Sequence, residues 1–179
     1  MTLEEIVIAV VRIVGSLPVL GWPFWGGLLA MLDDQSDLFL MNLLHLGGVR
    51  DYQTFDKYLD QVYLLCFLIV ALRWQGWERR ISIGLYAYRF VGFVAFEATS
   101  ARWLLLFFPN LFEFWFILTA ARHELDLDRR LGESRVMAIG GSLIALKMFQ
   151  EYAIHYARWL DGFTAVEAVQ SIWHWLTPF

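Results

Sequence analysis

The sequence predicts an all-α protein that crosses a membrane several times, and its composition carries this prediction. Of its 179 residues, 59% are hydrophobic and only 18% are charged, whereas about 25% are charged in ordinary soluble domains. Nine Trp and fifteen Phe suit lipid contact and the interfacial belts of membrane proteins. We therefore expect a polytopic integral membrane helix bundle with about six transmembrane helices, in which residues 1–179 form a single membrane domain.

Apolar segments separated by turn signals define the predicted spans. They are Leu3–Ser16, Phe24–Leu46, Thr54–Gly76, Ile81–Ala98, Trp103–Ala121 and Val136–Leu160. Pro109 interrupts the fifth span, where a proline kinks a helix and frees backbone carbonyls. The polar segment 122–135 reads as a loop. The aromatic segment 164–179 predicts a C-terminal interfacial helix that lies along the membrane surface.

Charge and cysteine content exclude several classes of protein. The net charge is −4, which suggests no nucleic-acid surface. The single cysteine, Cys66, excludes an internal disulfide and a Cys-based metal cluster. Glu4 and Glu5 stand where a signal peptide would carry Lys or Arg, so we expect the N-terminus to be retained. These features predict a multi-pass protein of a bacterial inner membrane with membrane lipid as a partner.

Two aspartate pairs lie inside apolar sequence. Asp34 and Asp37 are three residues apart and Asp56 and Asp60 are four apart, so each pair shares one helix face. A short connection at residues 47–48 would let the two faces meet. Carboxylates in a low-dielectric site must protonate or hold a cation, and Mg²⁺ prefers oxygen ligands. The pairs therefore predict a divalent metal site, with two solvated helix ends as the alternative.

Further ionisable residues fall within the predicted spans. They are Arg89, Glu97, Glu113, Lys147 and Glu151. Charged groups at membrane depth face the bundle interior, where they pair or line a polar cavity. Both interpretations stay open: Arg89 and Lys147 either neutralise the glutamates as packing pairs or belong to a functional site.

The spacing of the four aspartates resembles a family signature. Asp34–Asp37, eighteen residues and Asp56–Asp60 follow the ruler of the CDP-alcohol phosphotransferase family, D-x-x-D-G-x-x-A-R, eight or nine residues, then G-x-x-x-D-x-x-x-D. The resemblance covers about 27 residues. The aspartate positions match, but the glycine, alanine, arginine and second glycine positions hold Leu38, Met41, Asn42 and Tyr52.

The resemblance implies a function and roles for individual residues. It implies two divalent ions, Mg²⁺ or Mn²⁺, held by Asp34, Asp37 and Asp56. Asp60 would complete the site and act as general base on an acceptor hydroxyl. The activity implied is transfer of a substituted phosphate from a CDP-linked donor to an alcohol. The departures at the small residues and the arginine put binding of the CDP part in question.

Two other function classes stay open at the level of sequence. One is a non-catalytic membrane protein, as a homodimer or an accessory subunit of a larger membrane complex, with the acidic cluster structural. The other is proton or ion translocation through a relay of ionisable side chains in the membrane. Its candidate residues are Asp60, Arg89, Glu97 and Glu113.

Overall fold

The computed structural model describes residues 2–44, 52–99, 101, 104, 107–153, 173–175 and 177, with side chains at all of these except 37–44, 52–53, 133 and 151. Its helices are α1 (Leu3–Ser16), α2 (Pro23–Leu44), α3 (Tyr52–Ala71), α4 (Gly76–Thr99), α5 (Leu111–Leu125), α6 (Leu127–Leu131) and α7 (Glu133–Glu151). A 3₁₀ turn at Leu17–Leu20 joins α1 to α2. The described residues contain no β-strand, which confirms the all-α class.

Helix α3 lies at the centre of the described bundle. It packs against α1, the 3₁₀ turn, α2, α4 and α5, while α7 packs on α5 and α6. Its C-terminal half is apolar and contributes Phe67, whose ring stacks on Phe116 of α5 at 4.0 Å between centroids. Its N-terminal half carries charges. Because neighbours surround α3, those charges are drawn into the interior.

Helix α1 presents a polar face to the bundle. Thr2 and Glu5 form a capping box: the Glu5 amide donates to Thr2 Oγ1 at 3.1 Å and the Thr2 amide donates to Glu5 Oε2 at 2.8 Å. One stripe at four-residue spacing is buried and contains Glu4, Ile8, Arg12 and Ser16. Residues four apart share a helix face, so this stripe fixes which side of α1 faces its neighbours.

Several helix boundaries differ from those predicted, and two of them lie between α3 and α4. The third helix ends at Ala71 rather than Gly76, and the fourth begins at Gly76 rather than Ile81. A tight turn separates them, with the Trp74 amide bonded to the Ala71 carbonyl at 3.1 Å. Gly76 has a φ of +64°, a conformation that glycine adopts without steric cost. The backbone conformation of this turn therefore sets the end of α3 and the start of α4, which hydropathy alone does not locate.

The prediction of a loop over residues 122–135 is wrong, because this segment is helical. Helix α5 extends into it, α6 lies within it and α7 begins before its end. Short breaks occur at Asp126 and Gly132, with φ values of +53° and +82°. Arg122 Nη2 donates to Asp128 at 2.8 Å. Ion pairing of this kind lets a charged segment stay helical.

Within the described residues, one helix is long and apolar enough to cross a membrane, namely α4. Helices α1 and α5 have 14 and 15 residues, or about 21–23 Å, against an apolar layer of about 30 Å. Helices α2 and α3 are longer but carry the aspartates. The six-span count stays a prediction, and most of the predicted interfacial helix at 164–179 lies outside the described residues.

Alanine substitution should distinguish a tightly packed glycine from an open one. A Cβ at Gly26 would lie 2.4 Å from backbone atoms of Pro18 and Val19, whereas a Cβ at Gly84 meets nothing within 4 Å. We expect Gly26→Ala to cost roughly 1–3 kcal/mol through overpacking. Gly84→Ala should stabilise by up to about 1 kcal/mol, because alanine favours helix.

Thermal unfolding in detergent, followed by circular dichroism, measures both variants against the wild type. Equal midpoints for the two variants would contradict the close approach of α2 to the 3₁₀ turn.

Candidate functional site

Three of the four predicted aspartates converge in the bundle interior. Asp34 comes from α2, and Asp56 and Asp60 come from one face of α3. One carboxylate oxygen of each lies within 4.8 Å of the others. We refer to these three residues as the aspartate cluster. The side chain of Asp37 lies outside the described residues.

The centre of the aspartate cluster is filled by Arg12 of α1, whose side chain is 2% exposed. Its Nη1 donates to Asp56 Oδ1 at 3.0 Å, and its Nη2 donates to Asp60 Oδ1 at 2.9 Å. The same Nη2 also donates to Asp34 Oδ1. One planar guanidinium thus binds one oxygen of each carboxylate, an arrangement that the fork of N–H donors in arginine permits.

Two more cations contact the outer oxygens of Asp56 and Asp60, meaning the Oδ2 atoms that Arg12 does not bind. Lys57 Nζ donates to Asp56 Oδ2 and, at 3.2 Å, to Asp60 Oδ2. Arg89 Nη2 lies 3.7 Å from Asp60 Oδ2, while its Nη1 donates to the Phe108 carbonyl at 2.8 Å. Among the described side chains, three carboxyl groups thus meet three cations. Buried charges are tolerated when paired and hydrogen-bonded in this way.

Whether these residues suit Mg²⁺ or Mn²⁺ depends on Arg12. Carboxylate oxygens are the right kind of donor, but Mg²⁺ binds its ligands at about 2.0–2.1 Å. We call the three Oδ1 atoms that Arg12 binds the inner oxygens. An ion among them would lie in the space that the Arg12 nitrogens fill. The outer oxygen of Asp34 is 3.5 Å from Gln35 Nε2. With Arg12 in place the residues do not fit a divalent ion, so metal binding here stays a prediction that requires Arg12 to leave.

A second polar cluster lies further along α3. Tyr63 donates to Glu113 Oε1 and accepts from Asn110 Nδ2 at 3.1 Å. Lys147 Nζ of α7 lies 3.3 Å from Glu113 Oε2. Pairing of Lys147 with a glutamate was one of the sequence expectations. The Asn110 Oδ1 atom is buried and accepts no hydrogen bond from the described residues.

A groove of about 270 Å³ opens beside this second cluster. Glu113, Lys147, Gln35 and Gln150 form its polar part, and apolar side chains of α2 with Phe114 complete its walls. Because Gln35 also lies next to Asp34, the groove ends close to the aspartate cluster.

Within the part of the chain that the structure describes, the relay candidates do not form one chain of contacts. Arg89 reaches Asp60, but Glu97 accepts a hydrogen bond from Tyr58 at 3.2 Å on an exposed surface. Glu113 belongs to the second cluster. The structure therefore places the four relay candidates in three separate settings.

Sequence reasoning missed Arg12, which proves to be the central residue of the site. A signal was present, since Glu4, Ile8, Arg12 and Ser16 recur every four residues in an otherwise apolar helix. A charge on such a helix needs a buried partner. The sequence does not identify the partners of Arg12, because they lie on other helices, 22 to 48 residues further along the chain.

Comparisons of the chain with protein-family models, with curated proteins and with solved structures find no match. Membership of the CDP-alcohol phosphotransferase family therefore stays a prediction from the aspartate spacing.

Removing one partner from the aspartate cluster should destabilise the protein strongly. We expect Asp60→Asn to cost roughly 3–5 kcal/mol, because the variant removes the carboxylate that Arg89 contacts and one of the three that bind Arg12, and both cations stay buried. The matched control is Asp126→Asn. Asp126 has a side chain 60% exposed and pairs with Arg129 at 3.8 Å, and asparagine tolerates its left-handed backbone. Chemical unfolding in detergent measures both, and similar losses of stability would contradict a central role for the cluster.

Proposed function

We propose that this chain is a multi-pass integral membrane protein of a bacterial inner membrane, in which the aspartate cluster is structural. In this proposal it is a non-catalytic membrane protein or an accessory subunit of a larger membrane complex. The observation that carries the proposal is the contact of the three clustered carboxyl groups, buried at Asp60 and partly buried at Asp34 and Asp56, with Arg12, Lys57 and Arg89. A cluster neutralised by its own chain holds helices together without a bound ion.

The distribution of polar and apolar side chains supports the membrane part of the proposal. Charged residues are buried, among them Glu4, Glu5, Arg12, Asp60, Arg89, Glu113 and Lys147. Large apolar residues are exposed, among them Ile6, Val10, Val14, Trp25, Leu29, Leu32, Val91, Val94, Leu146 and Phe149. Soluble monomers rarely expose extensive apolar surface, whereas lipid favours it.

Helix lengths are compatible with several spans. Helix α1 with its 3₁₀ turn would reach about 29 Å, and α2 and α3 about 33 and 30 Å. These values match an apolar layer of about 30 Å. Buried aspartates do not exclude α2 and α3 as spans, because intramembrane charges that pair inside a bundle avoid lipid. We therefore propose about six spans.

A charge on the apolar surface of α4 should impair membrane insertion. Val91 is 55% exposed, so Val91→Lys would place an ammonium towards lipid, at a cost of roughly 2.5–3.5 kcal/mol near the centre of a span. The fraction that resists alkaline carbonate extraction should fall, while Val91→Leu should match the wild type. A wild-type chain recovered entirely in the carbonate supernatant would contradict the membrane proposal.

Phosphotransfer is the second candidate, and the convergence of Asp34 with Asp56 and Asp60 favours it. Under this alternative, a CDP-linked donor would transfer its substituted phosphate to an alcohol such as a lipid, with Asp60 accepting the hydroxyl proton. Mg²⁺ or Mn²⁺ would neutralise the transferring phosphate. The contacts of Asp60 with three cations weigh against this role, because they neutralise the carboxylate that the reaction needs as a base.

Release of CMP separates the two candidates. The purified protein in lipid or detergent is incubated with CDP-linked donors, alcohol acceptors and Mg²⁺ or Mn²⁺. We expect no CMP above the level found with excess chelator, because Arg12 occupies the cluster. Release that requires the metal and stops on chelation would contradict the structural proposal in favour of the enzyme.

A further inference from the structure

The environment of Arg12 is that of a cation site. One guanidinium lies among Asp34, Asp56 and Asp60, and it binds a single oxygen from each. One carboxylate oxygen from each of the three aspartates also lies within 4.8 Å of the others, as the ligands of one cation would. Arg12 is carried by α1, and its carbonyl accepts a hydrogen bond from Ser16 Oγ at 2.6 Å.

We infer that Arg12 takes the position that a divalent cation would otherwise hold among these carboxylates, so that this chain supplies its own counter-ion and excludes the metal. The inference rests on the structural role proposed above. Its physical basis is competition for the same inner oxygens, since an ion at about 2.0–2.1 Å from its ligands overlaps the guanidinium nitrogens. Arg12 and the ion are therefore alternatives.

The other two cations do not replace Arg12. Lys57 and Arg89 contact the outer oxygens of Asp56 and Asp60. Loss of the guanidinium would leave the three oxygens that it binds facing a vacated space, with three carboxyl groups against two cations among the described side chains. Oxygen donors with excess negative charge attract a hard divalent cation. Removal of Arg12 should therefore convert the cluster into a metal site.

Mn²⁺ binding to Arg12→Gln tests the inference. Bound Mn²⁺ is measured by electron paramagnetic resonance, and the unfolding midpoint is followed as MnCl₂ is added. Arg12→Gln should have a lower midpoint without metal, recover it with Mn²⁺ and bind Mn²⁺ about tenfold or more tightly than the wild type. Arg12→Lys, which keeps the positive charge, should not respond. Adding Asp56→Asn to Arg12→Gln should abolish the response.

Two results would overturn the inference. One is saturable Mn²⁺ binding by the wild type that is lost in Asp56→Asn, and the other is a folded Arg12→Gln variant that binds no Mn²⁺. If Arg12→Gln does not fold, the wild type and Arg12→Lys are compared instead. Absence of Asp56-dependent Mn²⁺ binding in both proteins supports the inference. Such binding in either protein overturns it. Carbonate extraction and CMP release do not enter this test, so the proposed function can fail separately.

Discussion

The bundle depends on the binding of one guanidinium by three carboxylates. Arg12 joins α1 to Asp34 of α2 and to Asp56 and Asp60 of α3. In a low-dielectric interior neither sign of charge is stable alone, and removing one partner leaves the others unpaired. This pairing therefore sets the rotation of α1 about its axis and its position along α3, which apolar contact would leave less defined.

A second set of polar contacts lies one turn further along α3. The Tyr63 hydroxyl bonds Glu113 of α5, and Lys147 links α7 to Glu113. The first set thus joins α1, α2, α3 and α4 and the second joins α3, α5 and α7, while the apolar half of α3 packs with aromatic rings of α5. Polar pairing thus stabilises the N-terminal half of α3, and aromatic packing stabilises its C-terminal half.

The aspartate cluster shows that helix geometry and metal chemistry are separable. Spacing of three or four residues on two adjacent helices is enough to bring carboxylates together. Their chemistry then depends on what neutralises them, and here Arg12, Lys57 and Arg89 are in contact with them. The same residues that make the spacing resemble a phosphotransferase are consequently compatible with a purely structural cluster.

The sequence predicted the helical class, most helix positions and, as one of two alternatives, the meeting of Asp34 with Asp56 and Asp60, because hydropathy and residue spacing along one helix are local properties. The sequence wrongly predicted a loop over residues 122–135. This segment is helical, because ion pairs between helices stabilise its charged residues. Only the tertiary structure placed Arg12 at the centre. Its partners lie on other helices, and the pairing of charges distant in sequence is decided by how those helices pack.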